Sequence, residues 1–189
     1  ERLTFQNEID ARVKKANSIT GLIRRTFIHL NKTTFKKLYK ALVRPHLEYG
    51  VPVWSPHLQK NIKKIESVQR RDTKQVNGLY NFSYEERLRQ LKIPSLKKRR
   101  ARGDLIETFK ILNGLYNIDP KDFFNYSHSN TRGHTRKLLK PRVNTNLRSH
   151  SFAYRVINDW NKLPNNVISA STLNIFKTRL DDFMNAENN

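Results

Sequence analysis

Apolar residues recur at helical spacing along most of the chain. The clearest run, from Thr33 to Trp54, has lysines and arginines on one face and these apolar residues on the other: Phe35, Leu38, Tyr39, Leu42, Val43 and Leu47. This pattern predicts an amphipathic helix with one face in a core. Pro45 lacks a backbone donor, so we expect a kink or an end within about a turn. We expect Gly50 and Pro52 to exclude helix beyond that point.

A second amphipathic pattern precedes this run and predicts a long helix over residues 3–30. Its apolar stripe consists of Phe5, Ile9, Val13, Ala16, Ile19, Ile23 and Phe27. A short turn over residues 31–33 follows, with Thr33 or Thr34 as the N-cap of the next helix. Two helices joined by so short a turn are expected to be antiparallel neighbours.

The residues after the second helix predict an apolar segment that anchors the chain by packing into a pocket, and then three more helices. An aromatic and β-branched cluster needs a pocket in the domain: Tyr49, Val51, Val53 and Trp54. A third helix is predicted from Leu58, ending at Gly78. Ser83 and Glu86 have the spacing of a capping box before a short helix. The next helix begins at Pro94 and continues to about Leu112.

The helical period fades between residues 115 and 147. The aromatic residues there predict either a small buried strand, which we favour, or a platform that stacks on single-stranded bases: Phe123, Phe124 and Tyr126. A hairpin is predicted from Lys137 to Val143. Two helices follow, one around Trp160 that ends at Pro164 and one over residues 173–183. Trp160 is expected in the core, and Ser171 or Thr172 is expected to cap the last helix.

Together these patterns predict a mainly α protein, a helical bundle with a small irregular or β-hairpin segment near residues 115–147. A chain of 189 residues is long enough to bury a substantial core. The absence of cysteine excludes a disulfide framework and is compatible with a reducing compartment. No apolar run reaches membrane length and no secretory signal is present, so we expect no membrane partner and a nuclear or cytoplasmic location.

The net charge of the chain says most about its binding partners. The chain has 37 Lys and Arg against 16 Asp and Glu, a formal net charge of +21 and a pI near 10.5. Such a field attracts polyanions and carries no information about fold. Residues 60–102 hold 14 of the basic residues and 4 of the acidic ones, so about half of the net charge lies in less than a quarter of the chain.

Two basic surfaces are therefore candidate phosphate-binding sites. The first comprises Lys63, Lys64, Arg70, Arg71, Lys74, Lys97, Lys98, Arg99, Arg100 and Arg102. The second lies between residues 132 and 155, where there are seven basic residues and no acidic one, and includes Arg132, Arg136, Lys137 and Arg142. Side chains that neutralise phosphates release counterions, which gives binding with steep salt dependence and little base specificity. A solvated helix face is an equally good interpretation of an isolated charge run.

Several segments, taken in order, resemble one family. They are LYKALVRPHLEYGVPVWSP, the basic helix around residues 68–71, SYEERLRQLKIPSLKKRRARGDLIETFKILNG, and the C-terminal run TRGHTRKLLKPRVNTNLRSHSFAYRVINDWNKLPNNVISASTLNIFKTRLDDF. Together they resemble the region downstream of the polymerase core in jockey-like non-LTR (LINE-type) retrotransposon reverse transcriptases, from about Phe5 to Phe183. Asp72 departs from that pattern, since a small or apolar residue is usual there, and we expect weaker packing at that turn.

The resemblance implies three segments with different roles. Residues 1–57 would be a thumb-like helical hairpin that grips the template and primer duplex. Residues 58–114 would be a basic helical connector that extends this grip to element RNA or nicked target DNA. Residues 115–189 would be a small C-terminal domain with a hairpin and two helices. The implied partners are RNA and DNA, an RNA:DNA hybrid above all, and the upstream polymerase palm of the same polypeptide.

Catalytic residues are not expected in this chain. The family's polymerase signature is a Tyr-x-Asp-Asp turn that holds two metal ions, and the Asp181–Asp182 pair lies instead on the last predicted helix. The palm and its divalent metal, Mg²⁺, would belong to the parent polymerase, and no cofactor is expected here. The histidines lack the spacing of a zinc site: His29, His46, His57, His128, His134 and His150.

Two other classes of protein fit the composition. One is a free-standing basic RNA-binding or chromatin-type protein without relation to a polymerase. The other is a structural or protein-interaction module whose charge serves only solvation. The first predicts an open reading frame with its own start codon, and the second predicts weak association with nucleic acid that is insensitive to salt.

Overall fold

The computed structural model describes residues 5–127 and 133–186 and is mainly helical, as the periodicity predicts. The chain forms two compact units, Glu1–Arg100 and Ala101–Asn189. The chain passes from the first unit to the second after Arg100. The segment boundaries after residues 57 and 114 remain a prediction.

The first unit is built from helices joined by short turns. Their bounds are α1 (Gln6–Thr26), α2 (Lys32–Leu38), α3 (Arg44–Glu48), α4 (Val51–Trp54), α5 (Gln59–Asp72) and α6 (Tyr84–Leu91), followed by α7 (Leu96–Leu112), which contains the unit boundary. α1 packs against α3 and α5. The core of this unit includes Ile9, Ala16, Tyr39, Leu47, Ile65 and Leu91. The apolar stripes predicted for the first two helices therefore form much of this core, whereas Phe27 and Leu42 of these stripes are exposed.

A π-helical turn, Tyr39–Val43, joins α2 to α3 without a break. The proline ring at position 45 would clash with the carbonyl group four residues earlier in an α-helix, and a wider turn relieves that clash. Four-residue steps drift by about 40° each around an α-helix. The wider turn corrects this drift and keeps Phe35, Tyr39, Val43 and Leu47 buried together. The helix therefore continues past Pro45 to Glu48.

Helix α4 contradicts the expectation that Gly50 and Pro52 exclude further helix. Gly50 takes a left-handed conformation, with φ of 64°, and Pro52 occupies the first turn of α4, where a missing N–H is tolerated. The cluster expected to be an anchor is only half buried. Trp54 is 4% exposed, and its Nε1 donates to the carbonyl of Tyr49 at 2.5 Å, whereas the Val53 side chain is 74% exposed.

The helix caps match the sequence in part. Ser83 accepts from the backbone N–H of Glu86, and Thr172 accepts from that of Ile175, as predicted. The expected cap at Thr33 or Thr34 is wrong, because Asn31 Oδ1 accepts from the Thr34 N–H at 2.9 Å. The third helix ends at Asp72 rather than at residue 78, because a 3₁₀ turn over Thr73–Gln75 follows it.

The second unit packs short helices around the C-terminal half of α7. Their bounds are α8 (Asn146–Ser149), α9 (Phe152–Arg155), α10 (Ile157–Lys162), α11 (Asn165–Ile168) and α12 (Leu173–Ala186). Trp160 is fully buried, which confirms its expected place in the core. Phe176 stacks on Phe109, with ring centroids 4.2 Å apart. Arg155 and Asp104 form two hydrogen bonds of 2.8 Å beside this core.

The segment before α8 is irregular. An isolated antiparallel bridge joins Tyr126 to Leu138. The side-chain amide of Asn161 accepts a hydrogen bond from the backbone N–H of Leu138 and donates one to its carbonyl. The predicted hairpin over residues 137–143 is wrong, because Leu138 pairs with Tyr126 and no regular structure follows it up to α8. Phe124 is 3% exposed, which agrees with the favoured buried interpretation. Phe123 remains 41% exposed.

Candidate nucleic-acid interface

A cleft of about 420 Å³ in the first unit brings together three of the predicted phosphate-binding residues. It is lined by Ile62, Lys63, Glu66, Arg70, Tyr84, Ser95 and Lys97. Helix α5 supplies four of these residues, α6 begins at Tyr84, and α7 begins beside Ser95. The cleft therefore lies where three helices meet.

Glu66 organises the inner part of the cleft. Its carboxylate accepts from the backbone N–H groups of Leu96 and Lys97, at 3.1 and 3.2 Å, and so caps the start of α7. It also accepts from the Tyr84 hydroxyl. Burial and this hydrogen bond raise the pKa of Tyr84, so the phenol remains protonated and donates to Glu66.

A buried amide holds this arrangement to the core. Gln69 is completely buried; its Nε2 donates to the Tyr84 hydroxyl at 3.0 Å and to the Pro94 carbonyl at 3.1 Å. Its Oε1 accepts from the Tyr39 hydroxyl at 2.6 Å. The side chains that shape the cleft are thus fixed by bonds to the π-helical turn and to the chain before α7.

The mouth of the cleft is cationic. The Arg70 guanidinium lies over the Tyr84 ring, 4.3 Å from its centroid, which orients a flexible side chain. Lys63 and Lys97 are exposed. Three cations face a single carboxylate, Glu66, and that carboxylate is already bonded to two N–H groups and a hydroxyl. The cleft can therefore hold the phosphates of a polyanion through point charges and a planar guanidinium.

Three other residues of the first basic surface are exposed to solvent and lie close in the sequence to residues that line the cleft. Lys64 pairs with Asp10 at 2.7 Å, and both side chains are nearly half exposed. Arg71 donates to the Asn17 side chain, and Lys74 lies 5.5 Å from the centroid of the Tyr80 ring. These solvated contacts are weak and would exchange readily for phosphate.

The remaining residues of that surface are engaged within the protein. Arg99 forms a two-point ion pair with Glu48, and Arg102 forms one with Asp181 at 2.5 and 2.9 Å. Arg100 is only 5% exposed, and Lys98 is partly exposed. Paired and buried guanidinium groups are poorly placed to bind an external phosphate.

The second predicted basic surface is divided among different environments. Arg136 donates to the carbonyl of Leu112 at 2.9 Å and to Asn113 Oδ1 at 3.1 Å, which fixes the irregular segment to the end of α7. Lys137 is partly buried, and Arg142 is exposed. Arg132 lies outside the described residues.

The residues that the structure describes do not form the Mg²⁺ site of a polymerase. Asp181 is held by Arg102, and the described residues contain no group of three or more His, Asp or Glu side chains arranged to bind a metal. His134 is buried against the carbonyl of Trp160, at 3.1 Å, and burial lowers its pKa. His128 lies outside the described residues.

Glu66 and Tyr84 are the residues of the cleft that sequence reasoning missed. Glu66 stands among lysines in a charge run, and Tyr84 follows the predicted N-cap of α6. Neither position carries a local signal for a binding site, because both depend on contacts with residues 18 or more positions away.

Comparison with known proteins gives one weak similarity. The chain is 31% identical over 120 residues to an uncharacterized protein of Caenorhabditis elegans, an overlap that spans 62% of this chain and 61% of that protein. No family model matches the chain. No solved structure matches it either. In the described ranges, no helix combines the length and the apolar character that a membrane crossing requires.

Proposed function

We propose that this chain is the accessory nucleic-acid-binding part of a retrotransposon RNA-directed DNA polymerase. In this proposal its basic helices grip template and primer, or element RNA and target DNA, and an upstream palm with its Mg²⁺ performs the polymerisation. The ordered resemblance from about Phe5 to Phe183 supports the relation to reverse transcriptases. The chain itself binds and does not polymerise.

The observation that carries the nucleic-acid part of the proposal is the cleft between α5 and α7. Its three cations, Lys63, Arg70 and Lys97, come from positions up to 34 residues apart and face one site. Hydrogen bonds from Gln69 and to Glu66 fix the Tyr84 ring of the cleft, and Glu66 caps the start of α7. A solvated surface would not require such a fixed arrangement.

Under this proposal only some of the predicted basic residues bind phosphate. We assign the main contacts to the three cleft cations, with Lys64, Arg71 and Lys74 as exposed additions. Arg99 and Arg102 are assigned to the stability of the fold, since each already holds a carboxylate at two points.

The test measures the affinity of the purified chain for an RNA:DNA hybrid, a DNA duplex and single-stranded RNA over a range of salt concentrations. The cleft variant carries Lys63→Ala, Arg70→Ala and Lys97→Ala. The matched control carries Lys14→Ala, Lys15→Ala and Lys121→Ala, which remove the same charge from exposed lysines outside the cleft. We expect the cleft variant to lose more than about tenfold in affinity, with a salt slope lower by about three.

Equal losses in the two variants would mean that the cleft has no special role and that binding follows net charge alone. Weak binding by the parent chain that salt does not affect would contradict nucleic-acid binding and favour a module that contacts proteins. The relation to a polymerase has its own test: a Tyr-x-Asp-Asp motif in the coding sequence upstream supports it, and an in-frame stop codon there counts against it.

A further inference from the structure

We infer that the turn over residues 77–82 is a stacking site for one unpaired base of single-stranded nucleic acid, with the Tyr80 ring as its platform. This inference rests on the proposed function and adds a preference that a phosphate cleft cannot supply. Base–aromatic stacking requires an exposed ring face on the protein and an unpaired base on the ligand.

The turn presents two aromatic side chains to solvent. Tyr80 is 70% exposed and Phe82 is 43% exposed, whereas Leu79, which directly precedes Tyr80, is 1% exposed. Leu79 anchors the start of the turn in the core, and the two rings that follow it lie outside the core. The exposure therefore results from how the turn is built and not from a loose loop end.

The backbone of the turn is held in place by several bonds. The N–H of Asn77 donates to the carbonyl of Leu30 at 3.0 Å, and Gly78, with φ of 77°, supplies the left-handed bend. Arg87 is 2% exposed and donates to the carbonyl of Phe82 at 2.6 Å and to Thr73 Oγ1 at 3.0 Å. A fixed platform loses little entropy on binding, which favours stacking.

The surroundings of Tyr80 suit a nucleic-acid strand. The exposed ammonium group of Lys74 lies over the ring, 5.5 Å from its centroid, so a base that stacks on this face displaces the ammonium group, which can then contact the phosphate of the same nucleotide. Lys74 follows directly on α5, the helix that carries Lys63 and Arg70 of the cleft. The same helix and the turn after it thus offer phosphate contacts and a stacking surface on consecutive stretches of chain.

This arrangement selects between strand types. A base-paired duplex conceals the faces of its bases within the helical stack, so Tyr80 can contact only its backbone. A single strand offers base faces to the ring at little cost. The loss of Tyr80 should therefore weaken single-strand binding and leave duplex binding largely unchanged.

The experiment compares the binding of the full chain to an oligothymidine strand and to a blunt-ended DNA duplex at the same salt concentration. We expect Tyr80→Leu to lower the single-strand affinity by about tenfold and Tyr80→Phe, which keeps the ring, to lower it by less than about twofold. Tyr49→Leu is the matched control, because Tyr49 is 67% exposed but the cation over its ring, Arg12, is already paired with Glu8 at 2.6 Å and lies outside both basic surfaces. Tyr49→Leu should bind both ligands as the parent does.

A second readout reports stacking directly. A strand with one 2-aminopurine should lose fluorescence when it binds the parent and Tyr80→Phe, and the loss should be smaller with Tyr80→Leu. Melting curves of all variants establish that each remains folded. If the parent binds both ligands and Tyr80→Leu binds the single strand equally well, the stacking site is wrong and the proposed function stands. If Tyr80→Leu weakens both ligands equally, stacking is also wrong. If the parent binds neither ligand, both proposals fail.

Discussion

The Oδ2 atom of Asp72 lies 3.0 Å from the hydroxyl oxygen of Thr20 inside the core of the first unit. The same hydroxyl lies 3.0 Å from the carbonyl oxygen of Ala16. One hydroxyl hydrogen cannot serve both acceptors, so a protonated Asp72 that donates to Thr20, which donates to Ala16, satisfies all three groups. Asp72 is 2% exposed, and its Oδ1 has no hydrogen-bond partner among the described residues.

Burial raises the pKa of Asp72 to about 7, against the lowering effects of Thr20 and Arg71. Because the folded state holds the proton more tightly than the unfolded chain, raising the pH removes stability. This contribution is complete below about pH 4 and is lost by about pH 7, with an upper limit of about 4 kcal/mol. We expect Asp72→Asn, which cannot ionise, to be more stable than the parent at about pH 8.

Urea unfolding of both proteins across this pH range measures the effect. The stability of Asp72→Asn minus that of the parent should rise between about pH 4 and about pH 7 and then level off. Both proteins contain the same histidines, so the effect of histidine titration on stability cancels in this difference. If the two plots of unfolding free energy against pH were parallel, they would contradict a raised pKa at Asp72.

Arg87 is expected to be one of the most sensitive positions in the first unit. It is buried and donates to the backbone carbonyls of Phe82 and Arg70 and to the Thr73 hydroxyl oxygen. Arg87→Met therefore leaves these acceptors unpaired. We expect a loss of about 3 kcal/mol in the free energy of unfolding. Arg89→Met on the same helix removes an ion pair whose guanidinium is 80% exposed and should cost less than about 1 kcal/mol. Denaturant unfolding that gives similar losses for both would contradict the role of Arg87.

Glu66 has opposite effects on binding and stability. Glu66→Gln removes the one carboxylate of the cleft, so we expect the affinity for duplex DNA to rise severalfold at low salt and to approach that of the parent at high salt. It also weakens the cap of α7, and the free energy of unfolding should fall by about 1 kcal/mol. Glu85→Gln, an exposed carboxylate that does not line the cleft, should change affinity less. An equal rise in both variants would mean that the cleft does not contact the phosphates.

Two glycines should respond to alanine in opposite directions. At Gly50, φ is +64° and a Cβ atom would lie 3.1 Å from Nε1 of Trp54, so Gly50→Ala should cost about 1–2 kcal/mol. Gly103 lies within α7 with no atom near the position of a Cβ, so Gly103→Ala should stabilise by about 1 kcal/mol. Thermal unfolding of the two variants beside the parent checks both signs, and a stabilised Gly50→Ala would contradict the strained turn.

The helical architecture could be predicted because periodicity is a local property. The apolar stripes around Val13 and Tyr39, the capping box at Ser83 and the burial of Trp160 were all readable from spacing alone. The N-cap at Asn31 was not, because Asn31, Thr33 and Thr34 are all residue types that cap helices and lie within four positions of one another. The false hairpin at 137–143 has a similar cause, since the partner of Leu138 is Tyr126, beyond any short turn.

The candidate site was only partly predictable. A count of basic residues treats Arg70 and Arg99 alike, yet one faces a cleft and the other holds Glu48, 51 residues away. Ion pairs across such distances are set by packing, which no charge run reveals. For the same reason sequence reasoning considered an aromatic platform only near Phe123, and there as the less favoured interpretation, whereas the aromatic ring most open to solvent beside a cation of the first basic surface is Tyr80.

The π-helical turn between α2 and α3 also bears on how this chain can change in length. Exposed residues, Lys40, Ala41 and Leu42, separate the buried Tyr39 and Val43. Removal of one of them, together with replacement of Pro45 to avoid the clash of its ring, would return the segment to ordinary α-helix without rotating the flanking core residues out of register. The same deletion within α1 or α5 would turn everything beyond it by about 100°. Homologues that are one residue shorter and lack this proline are therefore expected to carry their gap here, so alignments of related chains should allow a gap at this turn.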